Sequence, residues 1–403
     1  MATPITKRIE IIDALRGFSL AGILLCHMVE NYIGAMAPEG FSEAVHVGTI
    51  DYIIDGAISI LLRGKFIALF SFLFGLSFFI QMENSTKKRI SYSGRFLWRL
   101  VLLMVIGYLH SLFYRGDILT IYAILGIFLI PFHKLGNKWV LGFSALLFLG
   151  MGRYIVFSLT HGASIWPNSE AMTPNAPKVV QYYDILKNGG LHDVFKTNAI
   201  DGHKDKLNYQ FGIFGRGYFT FAFFLIGLYV GRTDFFRNFK QSGKLIKKVF
   251  IWSITVLVVS IGVTAVAFTS LGESPKFNNW TAMLGLSAVD MANAAMTVIW
   301  IAIFTTLYKK VKTKKWLTKF APYGRMALTN YVMQSIIGTA VLYGWGFGLM
   351  GELRHLYTFT FAIALILLQI WSSKLWLNNF NYGPLEWLWR SLTFFRTFPM
   401  RKK

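Results

Sequence analysis

Residues 11–33 read IIDALRGFSLAGILLCHMVENYI. The stretch is long and apolar enough to cross a bilayer, because about 20 residues at 1.5 Å rise span the hydrocarbon. It nevertheless carries Arg16 and His27. Eleven helical steps place the two about 16 Å apart and within roughly 20° of one face. A charge at the centre of a membrane helix costs about 2.5 kcal/mol or more, so such residues turn toward protein or a water-filled cavity and often mark a path or a reaction centre. Asp13, one turn before Arg16, can neutralise it. Glu30 and Asn31 follow His27 at i+3 and i+4, where they could orient an imidazole. With Arg16 inside it and no small-residue cleavage site after it, the segment is expected to be a retained first helix and not a signal peptide.

The rest of the chain agrees with that reading. Of 403 residues, 54% are hydrophobic, 17% aromatic and only 15% charged, and mean hydropathy is +0.48. This composition predicts an all-α integral membrane protein. Ten apolar spans are expected near 11–33, 62–82, 96–113, 118–132, 139–159, 211–230, 249–268, 283–308, 326–350 and 357–377. Spans three and four form a hairpin around the tight turn at 114–117. Residues 52–61 are expected to lie along the membrane surface before the second crossing. The formal charge of +22 would suit nucleic acid, but the lysines and arginines cluster in short segments between apolar runs. That pattern belongs to cytoplasmic loops over anionic lipid and argues against a nucleic-acid partner. Applied to Lys87–Arg89, Lys134 and Lys138, the cluster at 232–248, the cluster at 309–319 and the C-terminal Arg401–Lys403, the positive-inside rule puts both termini in the cytoplasm. The chain reads as one polytopic domain over 1–403, with an extracytoplasmic loop at 161–209 inserted between spans five and six. Two short helices are expected in that loop, near 182–187 and 191–199, separated by Gly189-Gly190. One cysteine, Cys26, excludes an internal disulfide.

Within the apolar spans only His27 and His110 are histidines. Arg95 and Arg99 open the third span one turn apart, a spacing that suits phosphate as well as ordinary membrane-flanking charge. Asp117, beside Arg115 at the hairpin turn, could bind an acceptor hydroxyl, pair with Arg115 or cap the fourth helix. Tyr122 lies one turn further in. Asn330 and Gln334 share a face, where amides bind helices together or contact substrate. Arg325 begins the same span and belongs with a basic inner mouth. Glu386 and Arg390 form an i,i+4 pair on a cytoplasmic amphipathic helix. His46, on the outer loop, is the second candidate base. No His-x-x-x-His pair, cysteine cluster, P-loop, dinucleotide fingerprint or Gly-x-Ser-x-Gly elbow occurs, so no metal is expected.

The Arg16-to-His27 spacing resembles the R-x10-H signature of the bacterial membrane O-acyltransferases, acyltransferase family three. There the histidine is the catalytic base and acyl-CoA the cytosolic donor. The stretches DALRGFSLAGILL, KFIALFSFLFGLSF, RFLWRLVLLMVIGYLHSLFYRGDILTIYAILG, GRMALTNYVMQS and YGPLEWLWR are similar, in order and over both halves, to the YeiB-like bacterial membrane proteins. That family is grouped with the transmembrane acyltransferases, including the lysosomal heparan-glucosaminide acetyltransferase. Many of its members carry asparagine where this chain has His27. The resemblance implies a bacterial inner-membrane enzyme that moves an acyl group from acyl-CoA, acetyl-CoA first among candidates, to a hydroxyl or amine of a lipid or glycan acceptor. His27 would be the base and Glu30 its support. The coenzyme phosphates would lie near Lys88, Arg95 and Arg99, a pair spaced RxxxR where the broader group has RxxR. A homodimer is compatible with this picture. The alternative is a non-enzymatic transporter or lipid-binding protein of the same fold. An enzyme requires a passage from the basic mouth to His27, whereas a transporter requires broken helices around a central site.

Overall fold

The computed structural model describes residues 8–87, 93–165, 174–272 and 277–402. In chain order its helices are α1 (Glu10–Val29), α2 (Phe41–Val45), α3 (Thr49–Leu61), α4 (Lys65–Lys87), α5 (Ser93–Phe113), α6 (Leu119–Phe132), α7 (Asn137–Phe148), α8 (Met151–Thr160), α9 (Pro177–Asn188) and α10 (Leu191–Ala199). They continue as α11 (Asp201–Phe211), α12 (Arg216–Arg232), α13 (Phe235–Asn238), α14 (Gly243–Thr269), α15 (Trp280–Lys309), α16 (Val311–Leu317), α17 (Phe320–Arg325), α18 (Ala327–Leu342), α19 (His355–Asn379) and α20 (Pro384–Phe394). The described residues contain no strand beyond one isolated bridge, Phe380 to Arg401.

Among the described residues six helices are long and apolar enough to cross a membrane, and the number rises to eight if two bent pairs each count as one span. The chain is a multi-pass membrane protein. The bent pairs are α7 with α8, turned by 51°, and α11 with α12, turned by 63°. Gly150, at φ 91°, supplies the first bend in a conformation that L side chains rarely adopt. The ten spans read from the sequence would need α6 and α18 as well. Both are apolar but have only 14 and 16 residues, short of the roughly 20 that a straight crossing takes. The loop expected between spans five and six is also corrected in one respect. The segment 161–209 contains three helices, because α11 follows α10 after Ile200 with hardly a break.

α1 is the most enclosed of the long apolar helices, with 83% of its apolar window buried. Small residues let its neighbours approach closely, as in membrane bundles generally. A Cβ on Gly17 would strike the Phe320 carbonyl, and one on Gly324 would strike the backbone of Asp13 and Gly17, so α17 crosses α1 backbone to backbone. α3 rests its Ile54 and Ile58 on Cys26 and Val29 of α1, and turns Tyr52, Ile53 and Ile60 outward. α14 packs chiefly against α15, and its exposed valines and isoleucines present an apolar face outward. At one end of the bundle, α9 to α11 form a roof tied down by Asn198 Nδ2 to the Leu112 carbonyl (3.0 Å) and by the Arg115–Asp205 ion pair. The other end carries the lysine-rich segments around α16 and both described chain ends, and is called the basic end below.

Candidate functional site

A cavity of about 310 Å³ opens among α1, α4, α5, α17, α18 and α20. Its rim holds five arginines, namely Arg8, Arg16, Arg99, Arg325 and Arg390. Its interior is apolar, lined by residues such as Ile23, Phe74, Leu103, Ile118 and Leu328, with Tyr122 and Tyr331 among them. A volume near 300 Å³ is at the lower end of small-molecule sites.

Two carboxylates face the five guanidiniums. Asp13 pairs with Arg8 and accepts from Arg16 Nη1 at 2.9 Å, and Arg16 Nη2 reaches Ser77 Oγ at 3.0 Å. Glu386 does not turn to Arg390. It accepts from the Leu328 and Thr329 backbone N–H groups (2.7 and 3.1 Å) and from the Thr329 hydroxyl (2.6 Å). The helix breaks at Met326, and the freed N–H groups at the start of α18 need an acceptor, which α20 supplies. Arg390 instead lies over the rings of Phe398 and Tyr382, at 4.5 and 5.2 Å, and Arg99 lies 3.8 Å over Trp389. The Nε atoms of Arg325 and Arg390 have no partner among the described residues. Arg95 is exposed, stacks 5.0 Å over Phe394 and lies off the rim, so the expected two-fork clamp does not form. Lys88 lies outside the described residues.

The cavity stops short of His27. Its nearest wall residue on α1 is Ile23, one turn before the histidine. His27 is 5% exposed. Asn31 and Tyr32 both take positive φ (51° and 53°), which folds Tyr32 back until its N–H bonds the His27 carbonyl at 2.8 Å. The imidazole is then packed between Tyr32 and Tyr114, with ring centroids at 5.4 and 5.0 Å. Its Nδ1 meets the Tyr114 hydroxyl at 3.0 Å, and Nε2 has no partner among the described residues. The expected support from Glu30 is absent, because that carboxylate accepts from Arg63 Nε at 2.6 Å. Asn31 turns its amide to the Val29 carbonyl. The cavity thus does not reach His27, to which the sequence reading leads a passage from the basic mouth, and Tyr32 and Tyr114 pack on the imidazole.

His110 and Asp117 form a second buried group. His110 Nδ1 lies 2.8 Å from Asp117 Oδ1. Asp117 also caps α6, accepting from Leu119 N (3.1 Å), Thr120 N (3.0 Å) and Thr120 Oγ1 (2.9 Å), and Lys206 of the roof stands 3.7 Å away. Burial alone would raise the Asp117 carboxyl. The His110 hydrogen bond and the Lys206 charge outweigh burial and hold it down to about 2. Arg115, an alternative partner for Asp117, goes to Asp205 and stacks 4.5 Å over Tyr182. Tyr122 shares a 2.6 Å hydrogen bond with Ser71 and donates to the Ile67 carbonyl at 3.1 Å.

Asn330 and Gln334 join helices in this structure. Asn330 Nδ2 donates to Ser373 Oγ at 2.9 Å, and Gln334 Nε2 reaches Gln369 Oε1 at 2.9 Å and the Tyr323 hydroxyl, binding α17, α18 and α19. His46 sits by α3, its Nδ1 on the Ser42 carbonyl at 2.8 Å and its ring stacked on Tyr52. Among the described residues no group of three or more His, Cys, Asp or Glu could hold a metal. The sequence reading passed over Arg153. It is buried and donates to the Ile213 and Phe214 carbonyls, Ser287 and Asp290 (2.7, 2.8, 2.7 and 2.5 Å), pinning the α8 bend to the turn between α11 and α12 and to α15. An arginine inside an apolar run was the available signal.

Fold and cavity together define a multi-pass helical membrane protein with an arginine-rimmed, apolar-floored cavity. Residues 230–396 match the model of a protein family of unknown function, DUF418. The chain is 29% identical to the uncharacterized protein YxaH of Bacillus subtilis (strain 168), over 98% of this chain and 97% of that one. It is 26% identical to the uncharacterized protein YeiB of Escherichia coli (strain K12), over 95% of each. An uncharacterized protein from the amylase 3' region of Bacillus acidopullulyticus is 24% identical, over 98% of this chain and 97% of its own length. The similarity to YxaH and YeiB runs along nearly the whole chain, and these relatives are described only as uncharacterized.

Proposed function

We propose that this chain binds an anionic amphiphile, an acyl-CoA or a phospholipid, which enters from the cytoplasmic side of a bacterial inner membrane. The observation that carries this reading is the convergence of five guanidiniums on the mouth of an otherwise apolar cavity. Guanidinium forks match phosphate oxygens two at a time, and Arg325 and Arg390 each retain an unpartnered Nε. The floor beyond them would take a hydrocarbon chain. In this reading α6 and α18 complete ten crossings, and the lysine-rich basic end, with both termini, is cytoplasmic.

Acyl transfer from acyl-CoA to a hydroxyl or amine of a lipid or glycan acceptor is the second reading. Two buried imidazoles favour it, His27 and His110, each with an unpartnered Nε2 and each just beyond the cavity wall. A transporter would use broken helices, and breaks do occur. The α7–α8 bend, however, is filled by Arg153 and Ser287 away from the cavity, and the Met326 break is capped by Glu386.

The test is binding of palmitoyl-CoA, free CoA and an anionic phospholipid to the purified chain in detergent. Hydrogen bonds to charged groups contribute about 1.5–3 kcal/mol each. Replacing Arg325 and Arg390 with alanine is therefore expected to weaken palmitoyl-CoA or the phospholipid by tenfold or more. Comparing the two ligands separates a coenzyme site from a lipid site. Unchanged binding of both by the double variant would overturn the proposal.

A further inference from the structure

We propose that His110, oriented by Asp117, is the proton acceptor of this chain, and that the group it receives is the hydroxyl of an acceptor molecule. The inference rests on the acyl-transfer reading above and assigns it a base other than the histidine that the R-x10-H spacing singles out.

A carboxylate can only accept, so the 2.8 Å contact places a hydrogen on His110 Nδ1, and in the neutral imidazole the lone pair then lies on Nε2. Asp117 cannot swing away, because two backbone N–H groups and the Thr120 hydroxyl hold it, with Lys206 close by. Nε2 is buried, in a side chain 2% exposed, and has no partner among the described residues. An unsatisfied buried polar atom is costly and calls for an explanation. A hydroxyl donor supplied by a ligand is the chemistry that fits a lone pair with a fixed tautomer. His27 lacks this arrangement. Its Nδ1 partner is a phenol, which can donate or accept, and its nearby carboxylate is committed to Arg63.

The dyad is one side-chain layer from the cavity. The Tyr331 ring lines the cavity and packs 4.9 Å from the His110 ring, and Ile118 and Leu119, next to Asp117, line it too. On its other side stand roof residues, with His203 Nε2 3.3 Å from Ser111 Oγ. The dyad therefore lies between a chamber suited to a thioester donor and a roof from which an acceptor could approach. In the step, Nε2 takes the hydroxyl proton as the oxygen bonds to the thioester carbonyl carbon. The tetrahedral adduct then collapses, the carbon–sulfur bond breaks, and the departing thiolate takes the proton from the imidazolium. The products are an ester and free CoA, and no oxidant or reductant is consumed.

The experiment follows thiol release and label transfer from labelled acetyl-CoA and palmitoyl-CoA to sugar and glycerolipid hydroxyls, with palmitoyl-CoA binding measured in parallel. It compares wild type with His110→Gln, His27→Gln and Asp117→Asn. The expected result is a loss of about 10²–10⁴-fold for His110→Gln, the usual contribution of general-base catalysis, with palmitoyl-CoA still bound. Asparagine caps helices as well as aspartate does. Asp117→Asn should thus keep the start of α6 while lowering kcat and leaving KM for acyl-CoA unchanged, a split that a merely loosened helix would not give. If His110→Gln fails to bind palmitoyl-CoA through misfolding, Asp117→Asn decides. A His110→Gln enzyme at the wild-type rate, with loss confined to His27→Gln, overturns the dyad and leaves acyl transfer standing. A wild-type chain that binds palmitoyl-CoA but transfers nothing overturns both.

Discussion

Glu386 offers a sharp test of how the cavity wall is held. The chain breaks at Met326, and the first N–H groups of α18 are satisfied by a carboxylate from α20, 57 or 58 residues away in sequence. Alanine at 386 removes a charged acceptor of three hydrogen bonds, two from the backbone and one from the Thr329 hydroxyl. Loss of a helix N-cap costs about 1 kcal/mol, and each buried donor left unpaired next to a lost charge adds about 1–3 kcal/mol. Water that reaches the site from the cavity recovers part of this, so the net cost is expected to be about 3 kcal/mol. Glutamine keeps one acceptor oxygen and should cost about 1 kcal/mol on the same principles. Cys26 provides the assay. It is the chain's one cysteine and is 6% exposed, so a thiol-reactive fluorogenic dye reports unfolding during a thermal ramp in detergent. The predicted order of stability is wild type, then Glu386→Gln, then Glu386→Ala, with palmitoyl-CoA affinity reduced alongside stability. Three indistinguishable melting curves would refute the capping assignment.

Three further outcomes follow from the packing. Gly324→Leu forces a side chain into the backbone of Asp13 and Gly17 and should cost about 3 kcal/mol or prevent folding, seen as loss of monodisperse protein; a well-folded variant would contradict the close α1–α17 crossing. Arg153→Ala strips Asp290 of one of its two arginines and leaves the Ile213 and Phe214 carbonyls unpaired, which should destabilise the chain by about 3 kcal/mol in the same dye assay; a change under about 0.5 kcal/mol would show that the bend is not held this way. Asp117 is held down to about 2 from an ordinary 3.8, so its contribution is fully present above about pH 4 and fades as pH falls toward 2. The stability gap between wild type and Asp117→Asn should accordingly narrow by about 2 kcal/mol between pH 6 and pH 2, and a gap independent of pH would contradict the depressed carboxylate.

The helices were legible wherever apolar length spoke for itself. α3 rests Ile54 and Ile58 on Cys26 and Val29 of α1, a contact that local composition does not show where it suggests only a surface-lying stretch at 52–61. The apolar segments and the hairpin between α5 and α6 follow from local composition. So does the capping role of Asp117, because the acceptor and the N–H groups it serves are three residues apart. Side-chain partnership was legible only at short range. The Arg16–Asp13 pair lies within one turn and was expected. Glu30 was expected to face His27, but Arg63, 33 residues on, offers it a full charge, and a carboxylate gains more from a guanidinium than from a neutral imidazole. Helical spacing shows which face a residue is on but not which distant group will meet it, so Glu386 at the α18 break and Tyr114 at His27 could not be read. The helix breaks were hidden for a related reason. Met326 and Gly150 sit in runs whose apolar pattern continues through them, and the break is stabilised by tertiary contacts. The arginine rim was partly visible as positive charge flanking the spans. Which arginines converge depends on the docking of α20, which turns Arg99 inward on Trp389 and leaves Arg95 outside.

A photoreactive fatty acyl-CoA bearing a diazirine near the end of its chain, crosslinked to the chain in native membranes and mapped by mass spectrometry, locates the occupant of the cavity. Label is predicted on the cavity floor, on Phe74, Leu103 or Leu328, with competition by unlabelled palmitoyl-CoA or anionic phospholipid and loss in the Arg325→Ala, Arg390→Ala double variant. Label confined to the outward faces of α14, unaffected by competitor or by the arginine variant, would contradict an amphiphile site at this cavity.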